Sequence, residues 1–308
     1  MVRSVVLSTV IVLSMALGAE AASYTIASDG NDEADCTANA ACASIRRASE
    51  LLVPGDTLDV RSALGSPWLG QVMTDASQQL GQLRGGLLLS TGEDQPHGFV
   101  RLAMTWSTTL RPQFAAAAKA LPNLADVLNK SSGIAATVDR HMFIGTPEFD
   151  RSPFVFITAL RAFELTEPEA TSLKRHLLGG GFLFVDSAEG PREFSQAEAA
   201  LRHMLKQALG RRAQLRRIPD HHPIYHGPHE FNGPPPGLDT RPMYALDGLF
   251  VEGRLVALFS DRGYVHSLAQ SNGNEAQMRL FINAVHYALR HSDKAKTITL
   301  RRVDLVAP

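Results

Sequence analysis

The chain has 308 residues, of which 44% are hydrophobic, and its 30 basic and 31 acidic residues give a formal net charge of −1. This length allows one large domain, or one domain with a smaller module attached. The balanced charge, without a block of basic residues, argues against nucleic-acid binding, because that function needs a clustered face that neutralises phosphates.

The first 22 residues have the three parts of a secretory signal peptide. Arg3 supplies the positive start, residues 5–17 are apolar, and Ala19, Glu20 and Ala21 form a small-residue cleavage site. The apolar stretch is shorter than the roughly 20 residues that span a bilayer. We therefore predict an exported protein, periplasmic or secreted, with no membrane span once residues 1–22 are removed.

Cys36 and Cys42 are the only cysteines of the chain. In an exported protein this pair predicts a disulfide. A loop this short constrains the unfolded chain by only about 2 kcal/mol. With both cysteines used, none remains for a nucleophile or a thiolate metal site.

Residues 23–97 are predicted to form a small module and a linker. SYTIASDG indicates a strand, ASIRRASELL has apolar residues at helical spacing, and VPGDTLDV indicates a turn followed by a strand. This order resembles the N-terminal cap of right-handed parallel β-helix proteins such as polysaccharide lyases. No coil repeats follow, so the resemblance implies no carbohydrate-cleaving activity. The Gly- and Gln-rich connection of residues 61–97 contains one predicted strand, GGLLLS.

Strands and helices alternate between residues 98 and 292. GFVRLAMTW predicts a strand, residues 121–130 a helix, and SPFVFITAL a strand buried on both faces. Thr166 and Glu169 predict a capping box for a helix that ends at the three glycines 179–181, and the buried strand FLFVD follows. Ser195 and Glu198 predict a second capping box, for a helix that ends at Gly210.

The last part of this domain is predicted to be a hairpin and a long helix. GLFVEGRLVALFS turns at Glu252 and Gly253, and residues 274–291 place Met278, Phe281 and other apolar residues on one side of a helix. Residues 293–308 are predicted to be a C-terminal tail. The alternation as a whole predicts an α/β domain with a mainly parallel sheet.

Several of these blocks together resemble one bacterial family, the domain-of-unknown-function family 4159, a branch of the class I glutamine amidotransferase-like superfamily. The resemblance runs from about residue 99 to residue 291. Its blocks are FVRLAMTW, LPNLADVLNKSSGI, SPFVFITALRAFELTEPEATSLKRHLLGGGFLFVD, DHHPIYH, LDGLFVEGRLVALFS and RLFINAVHYAL. It implies a flavodoxin-like sheet with helices on both faces. It implies no reaction, because the family is uncharacterised.

Two stretches depart from the pattern of that family. Residues 103–106 read Ala-Met-Thr-Trp where members commonly carry a Gly-Gly-Asp-Trp-like stretch, and Ala159 and Leu160 stand where they tend to carry Gly-His. If these positions line a ligand pocket, this member binds a different ligand or has lost the site.

Asp186 and Ser187 end a buried strand, and ligands of parallel α/β sheets bind outside the carboxyl ends of strands. Amidotransferases place a cysteine on a glycine-flanked turn here; this chain has neither, which argues against glutamine amidotransferase activity. One hypothesis makes Ser187 a nucleophile with His222 as base and Asp220 or Glu189 as the orienting carboxylate. In the other, Asp186 and Ser187 only cap the following segment.

The segment IPDHHPIYHG raises the question of a metal site. His222 and His226 would share a helix face, but Pro223 forces an extended backbone at His222. We therefore predict no metal site and no cofactor. The family resemblance instead implies that Asp220 and His222 form a pair that faces Asp186.

Trp106 and Arg161 are candidate ligand-binding residues, because each follows or ends a predicted strand. The alternatives are rim packing for Trp106 and a solvated charge for Arg161. We predict a non-catalytic domain that binds an unknown small molecule or an envelope protein. The alternative is a hydrolase of a small or carbohydrate-like substrate, acting through Asp186, Ser187, Asp220 and His222.

Overall fold

The structure is a computed structural model that describes residues 22–52, 56–62, 86–90, 97–238, 245–292 and 296–304. The predicted signal peptide lies outside these residues, apart from Ala22. The strands are β1 Ser23–Ala27, β2 Thr57–Ser62, β3 Gly86–Ser90, β4 His97–Trp106, β5 Ile134–Phe143, β6 Phe154–Ala159, β7 Phe182–Ser187, β8 Leu215–Arg217, β9 Asp247–Val251, β10 Arg254–Ser260 and β11 Lys296–Asp304. The helices are α1 Ile45–Leu51, α2 Ala115–Ser131, α3 Pro147–Arg151, α4 Glu167–Leu178, α5 Gln196–Leu209, α6 Tyr264–Leu268 and α7 Glu275–His291.

The strands form one mixed, mostly parallel sheet, so the predicted α/β class is confirmed. Their order is β1-β2-β11-β3-β4-β6-β7-β10-β9-β8, and β5 pairs with β4. The antiparallel pairs are β3–β4, β9–β10 and β8–β9. After β4 the chain forms α2 and β5 on one side of β4 and then continues with β6 on the other side.

Helices pack on both faces of the central strands. Because side chains alternate along a strand, Phe154 and Phe156 of β6 join the core beneath α2 and α7. Val155 and Ile157 join the opposite core, which is covered by α4 and α5. All six residues of β6 and of β7 are buried, as the continuous apolar runs predict.

The N-terminal module is built on a disulfide and a small core. The predicted Cys36–Cys42 bond is present, and both cysteines are buried with residues of β1, α1 and β2. Phe99 of β4 joins the same core. The predicted strand GGLLLS corresponds to β3. Residues 296–304, which were predicted to be part of a tail, form β11, which pairs in parallel with both β2 and β3.

Local sequence signals produce the elements around the glycines. Thr166 and Glu169 form the predicted capping box of α4. At its end Gly180 has φ 90°, and a Cβ at Gly181 would lie 2.1 Å from Nε2 of His176. These two glycines therefore allow β7 to start directly beside the helix that precedes it.

The hairpin β9–β10 turns at Glu252 and Gly253 as predicted, both with positive φ, as in a type I′ turn. Only part of the second predicted capping box forms: Ser195 accepts the Glu198 N–H, but the Glu198 carboxylate pairs with Arg202.

Other elements also differ from the predictions. Helix α2 begins at Ala115, ahead of the predicted residue 121, because five alanines of high helix propensity precede Pro122. Strand β5 was not predicted. No helix among the described residues is long and apolar enough to cross a membrane.

Candidate functional site

Two clefts lie at the carboxyl end of β4 and share residues 112–114. The larger, of about 760 Å³, is bounded by β4, β5 and the first half of α2; it is lined by Met104, Trp106, Pro112, Gln113, Phe114, Ala115, Ala117, Ala118, Leu121, Pro122, Val138, Asp139, Arg140 and His141. The smaller, of about 320 Å³, lies between the segments that follow β4 and β6; it is lined by Thr109, Leu110, Arg111, Pro112, Gln113, Phe114, Ala159, Leu160, Arg161, Ala162 and Phe163. Both volumes fall within the range of small-molecule sites.

Trp106 provides an aromatic wall of the larger cleft. It is the last residue of β4 and is half-buried. Its ring centroid lies 4.3 Å from that of His141 in an edge-on arrangement and 6.0 Å from that of Phe143. Ala115, Ala117 and Ala118 of the first turn of α2 also line this cleft.

Arg161 lines the smaller cleft together with Arg111. Both side chains are exposed, and the lining of this cleft contains no acidic residue. The two segments are tied together, because the Thr109 hydroxyl donates to the carbonyl of Glu164 at 2.5 Å. The cleft therefore has a fixed backbone and two positive side chains.

Glu169 fastens the segment after β4 to helix α4. Its Oε1 accepts hydrogen bonds from the N–H and hydroxyl of Thr108 at 2.7 and 2.9 Å, while Oε2 accepts the Thr166 N–H. Burial acts to raise the pKa of Glu169, but these hydrogen bonds outweigh it and hold the pKa below its usual value. The carboxylate thus stays ionised as the acceptor that positions this loop.

Asp186 is fully buried at the end of β7, on the face covered by α6. Its Oδ2 accepts the backbone N–H of Val265 at 2.8 Å. Burial raises its pKa to about 7, although hydrogen bonds from Val265, Tyr264 and Ser260 act in the opposite direction. The side chain is therefore an acceptor for the start of α6, with no exposed atom to offer a substrate.

Ser187 points to the opposite face of the sheet and is also fully buried. Its hydroxyl lies 3.3 Å from that of Ser195, which donates a hydrogen bond to Glu189 and accepts the Glu198 N–H at 3.0 Å. The hydrogen bond from Ser195 is the main cause that lowers the pKa of Glu189. This network caps the N-terminus of α5.

His222 lies at the other end of the strand that carries Asp186. Its ring centroid is 5.4 Å from that of Tyr287, which packs on Phe182 at the start of β7. Asp186 lies four positions after Phe182 in β7, a distance of about 13 Å along a strand. The His222 Nδ1 accepts the Ile224 N–H, and burial lowers the pKa of His222 to about 4.

The predicted pairing of Asp220 and His222 opposite Asp186 is therefore wrong. Asp220 is exposed and pairs with Arg217 at 3.2 Å, and its backbone carbonyl accepts from Nε2 of His226. The sequence spacing could not show at which end of the sheet this segment crosses.

The histidine-rich segment, residues 218–231, is attached to α7 by hydrogen bonds. Asn283 donates to the carbonyls of Ile224 and His229 at 3.1 and 2.7 Å and accepts the His229 N–H at 3.0 Å. His226 bonds Glu230 at 2.6 Å. Over the described ranges, no group of three or more histidine, cysteine or acidic side chains is arranged to hold a metal ion.

The sequence profile of one family, described as a domain of unknown function (DUF4159), matches residues 99–289. The match covers more than half of the chain and extends from β4 to α7. The chain belongs to the DUF4159 family. No curated protein matches the chain.

In this DUF4159 domain, the two stretches that were expected to depart from the family pattern, residues 103–106 and 159–160, each contribute residues to one of the clefts. Met104 and Trp106 line the larger cleft, and Ala159 and Leu160 line the smaller one. The sequence analysis identified Trp106 and Arg161 but missed Arg111, Phe114 and His141, which belong to no motif. His141 lies on the unpredicted β5, and Arg111 and Phe114 lie in the segment between β4 and α2.

Proposed function

We propose that this protein is an exported, non-catalytic binding domain whose small-molecule ligand occupies the cleft beside Trp106. The observation that carries this proposal is the placement of an open, aromatic-walled cleft of about 760 Å³ at the carboxyl end of β4. An envelope protein that inserts an apolar side chain into the same cleft is the second candidate ligand.

The strand order supports this position for a ligand site. Strands β5-β4-β6-β7-β10 follow the order 2-1-3-4-5 of flavodoxin-like sheets, and the order reverses beside β4. Ligands of such sheets bind outside the carboxyl ends at the point of reversal. We therefore also propose the flavodoxin-like, amidotransferase-like class for this domain.

The hydrolase alternative has less support. Asp186 and Ser187 are fully buried on opposite faces of the sheet, and His222 packs at the other end of β7. A substrate at the carboxyl edge would therefore not meet a nucleophile and its base together.

Export is proposed from the N-terminal sequence and from the disulfide. The Cys36–Cys42 bond is compatible with an oxidising compartment such as the periplasm or the extracellular space. The parallel pairing of β1 with β2, joined through α1, is in keeping with a module that resembles a β-helix cap. Cell fractionation with N-terminal sequencing tests this: we expect the exported form to begin at or near Ala22.

A thermal-shift screen of small molecules tests the binding proposal. A ligand at 100 times its dissociation constant stabilises the folded state by about 2.7 kcal/mol. Compounds that raise the melting temperature of the wild type should lose this effect in Trp106→Ala. Phe194→Ala is the matched control, because Phe194 is an exposed aromatic residue outside both clefts. Equal shifts in wild type and Trp106→Ala for every compound would contradict the proposal.

A further inference from the structure

We propose that the ligand carries an anionic group, a carboxylate, sulfate or phosphate, that Arg111 and Arg161 hold in the smaller cleft while the apolar part of the ligand lies against Trp106. This inference rests on the proposed function, since it assigns a chemical class to the ligand of the same site. The ligand would span residues 112–114, which line both clefts.

The smaller cleft is lined by two positive side chains and no acidic one. Arg111 follows β4 and Arg161 follows β6, so two separate loops bring guanidinium groups to one cleft. Among the described residues neither arginine forms an ion pair. A planar guanidinium suits the oxygens of carboxylate, sulfate and phosphate groups, which it can bind through two parallel N–H donors.

Hydrogen bonds join the loop after β4 to the loop after β6. Ser107 Oγ accepts the Leu110 N–H at 2.8 Å, and Thr109 donates to and accepts from the backbone of Glu164. The backbones that carry Arg111 and Arg161 are thus joined before a ligand arrives. This preorganisation reduces the loop ordering that binding would otherwise require.

The two clefts are adjacent and share the lining residues 112–114. Phe114 lines both clefts, and its ring lies 5.9 Å from that of His266, whose Nε2 donates to the carbonyl of Ala188 at 2.9 Å. The charged lining residues of the smaller cleft are Arg111 and Arg161. The larger cleft is lined mainly by apolar and aromatic side chains, and its charged residues are Asp139 and Arg140 of β5. A ligand with one anionic end and one apolar or aromatic end matches this arrangement.

Three probes separate the contribution of the anionic group from that of the aromatic group. They are naphthalene-2-sulfonate, 2-naphthol and inorganic sulfate, each titrated calorimetrically into the full mature chain at neutral pH. We expect naphthalene-2-sulfonate to bind about tenfold more tightly than 2-naphthol, because only the sulfonate gains charge-assisted hydrogen bonds. Arg161→Gln and Arg111→Gln should each weaken sulfonate binding about threefold, so that the two together account for the difference of about tenfold, and should leave naphthol binding unchanged. Added salt should weaken sulfonate binding in the wild type more than in these variants.

Arg211→Gln is the matched control, because Arg211 is an exposed arginine in the turn after α5 and lines neither cleft. Melting temperatures verify that each variant is folded. Unchanged sulfonate binding in both Arg111→Gln and Arg161→Gln would overturn the anion inference, while loss of binding of both naphthyl probes in Trp106→Ala would still support the proposed function.

Two further outcomes count against these proposals. If inorganic sulfate bound as tightly as naphthalene-2-sulfonate, the inference of a ligand that spans both clefts would be wrong. If Trp106→Ala and Trp106→Phe bound both naphthyl probes like the wild type, or if the wild type bound neither, both the inference and the proposed cleft would be rejected.

Discussion

Replacement of Asp186 by asparagine tests whether this buried carboxyl is protonated in the folded protein near neutral pH. Asp186 is fully buried, and burial raises its pKa from 3.8 to about 7. Asparagine retains an oxygen that can accept the Val265 N–H but cannot ionise. The variant therefore removes the titration and keeps the position of the hydrogen bond.

The sign of the effect follows from the direction of the shift. Because the folded-state pKa of Asp186 lies above the unfolded value, the folded protein retains a proton that the unfolded chain releases between about pH 4 and pH 7. The stabilisation is thus fully present below about pH 4 and is lost as the pH rises through about 7. At 1.36 kcal/mol per pKa unit, a shift of about three units amounts to about 4 kcal/mol.

Urea unfolding of the wild type and of Asp186→Asn, measured from pH 4 to pH 8, gives the difference in free energy of unfolding at each pH. We expect this difference to change by about 4 kcal/mol in favour of the variant as the pH rises, since other titrations cancel between the two proteins. Asp261→Asn, which removes a neighbouring and less buried carboxyl, should keep most of the wild-type dependence. Parallel curves for the wild type and Asp186→Asn would refute the argument.

Three further variants test the parts of the molecule that hold its loops. Replacement of Cys36 and Cys42 by serine should lower the free energy of unfolding by about 2 kcal/mol, and reduction of the wild type should reproduce this loss in urea unfolding. The hydrogen bond that His226 donates to the Glu230 carboxylate raises the pKa of His226. The wild type should therefore exceed His226→Gln in melting temperature at pH 5 and lose this advantage as the pH rises through the raised pKa, whereas equal pH profiles would contradict the assignment. Asn283→Ala leaves the backbone groups of Ile224 and His229 without their partner, so we expect the free energy of unfolding to fall by about 2 kcal/mol or more, with faster proteolysis within residues 218–231. Unchanged cleavage would show that the segment is held by other contacts.

Elements encoded by local chemistry could be predicted from the sequence. The capping box of α4 depends only on Thr166 and Glu169, and the hairpin turn depends on Glu252 and Gly253, so neighbours in sequence determine both. The strands β6 and β7 were visible because both of their faces are buried, which requires unbroken apolar runs.

Strand β5 could not be predicted in the same way. Among the described strands it pairs only with β4, and its middle residues, including Asp139 and Arg140, are half-buried or exposed. Its sequence therefore has neither an apolar run nor a regular alternation. Since β5 forms one wall of the larger cleft, His141 could not be identified as a lining residue while that strand was not predicted.

The burial of α7 was also underestimated. The sequence shows one apolar side, but Asn283 and His286, which look like surface residues, are 1% and 2% exposed. Asn283 is buried because residues 224–229 cover the helix and bond to its amide. Contacts between residues about 55 positions apart leave no periodic signal, so only the folded structure shows that the histidine-rich segment covers the core.

The direction of side chains along β7 explains why its polar end does not form the predicted catalytic site. Adjacent residues of a strand face opposite sides of a sheet, so Asp186 and Ser187 cannot both face one substrate unless the strand ends before them. Here β7 extends through Ser187. Asp186 accepts a hydrogen bond from the Val265 N–H of α6 on one face, and the Ser187 hydroxyl lies beside that of Ser195, the N-cap of α5, on the other. Trp106 at the end of β4 is half-buried, and Arg111 and Arg161 in the loops after β4 and β6 are exposed. Under the proposed function, a ligand that approaches the carboxyl edge of this sheet therefore meets these residues and not the buried polar groups of β7.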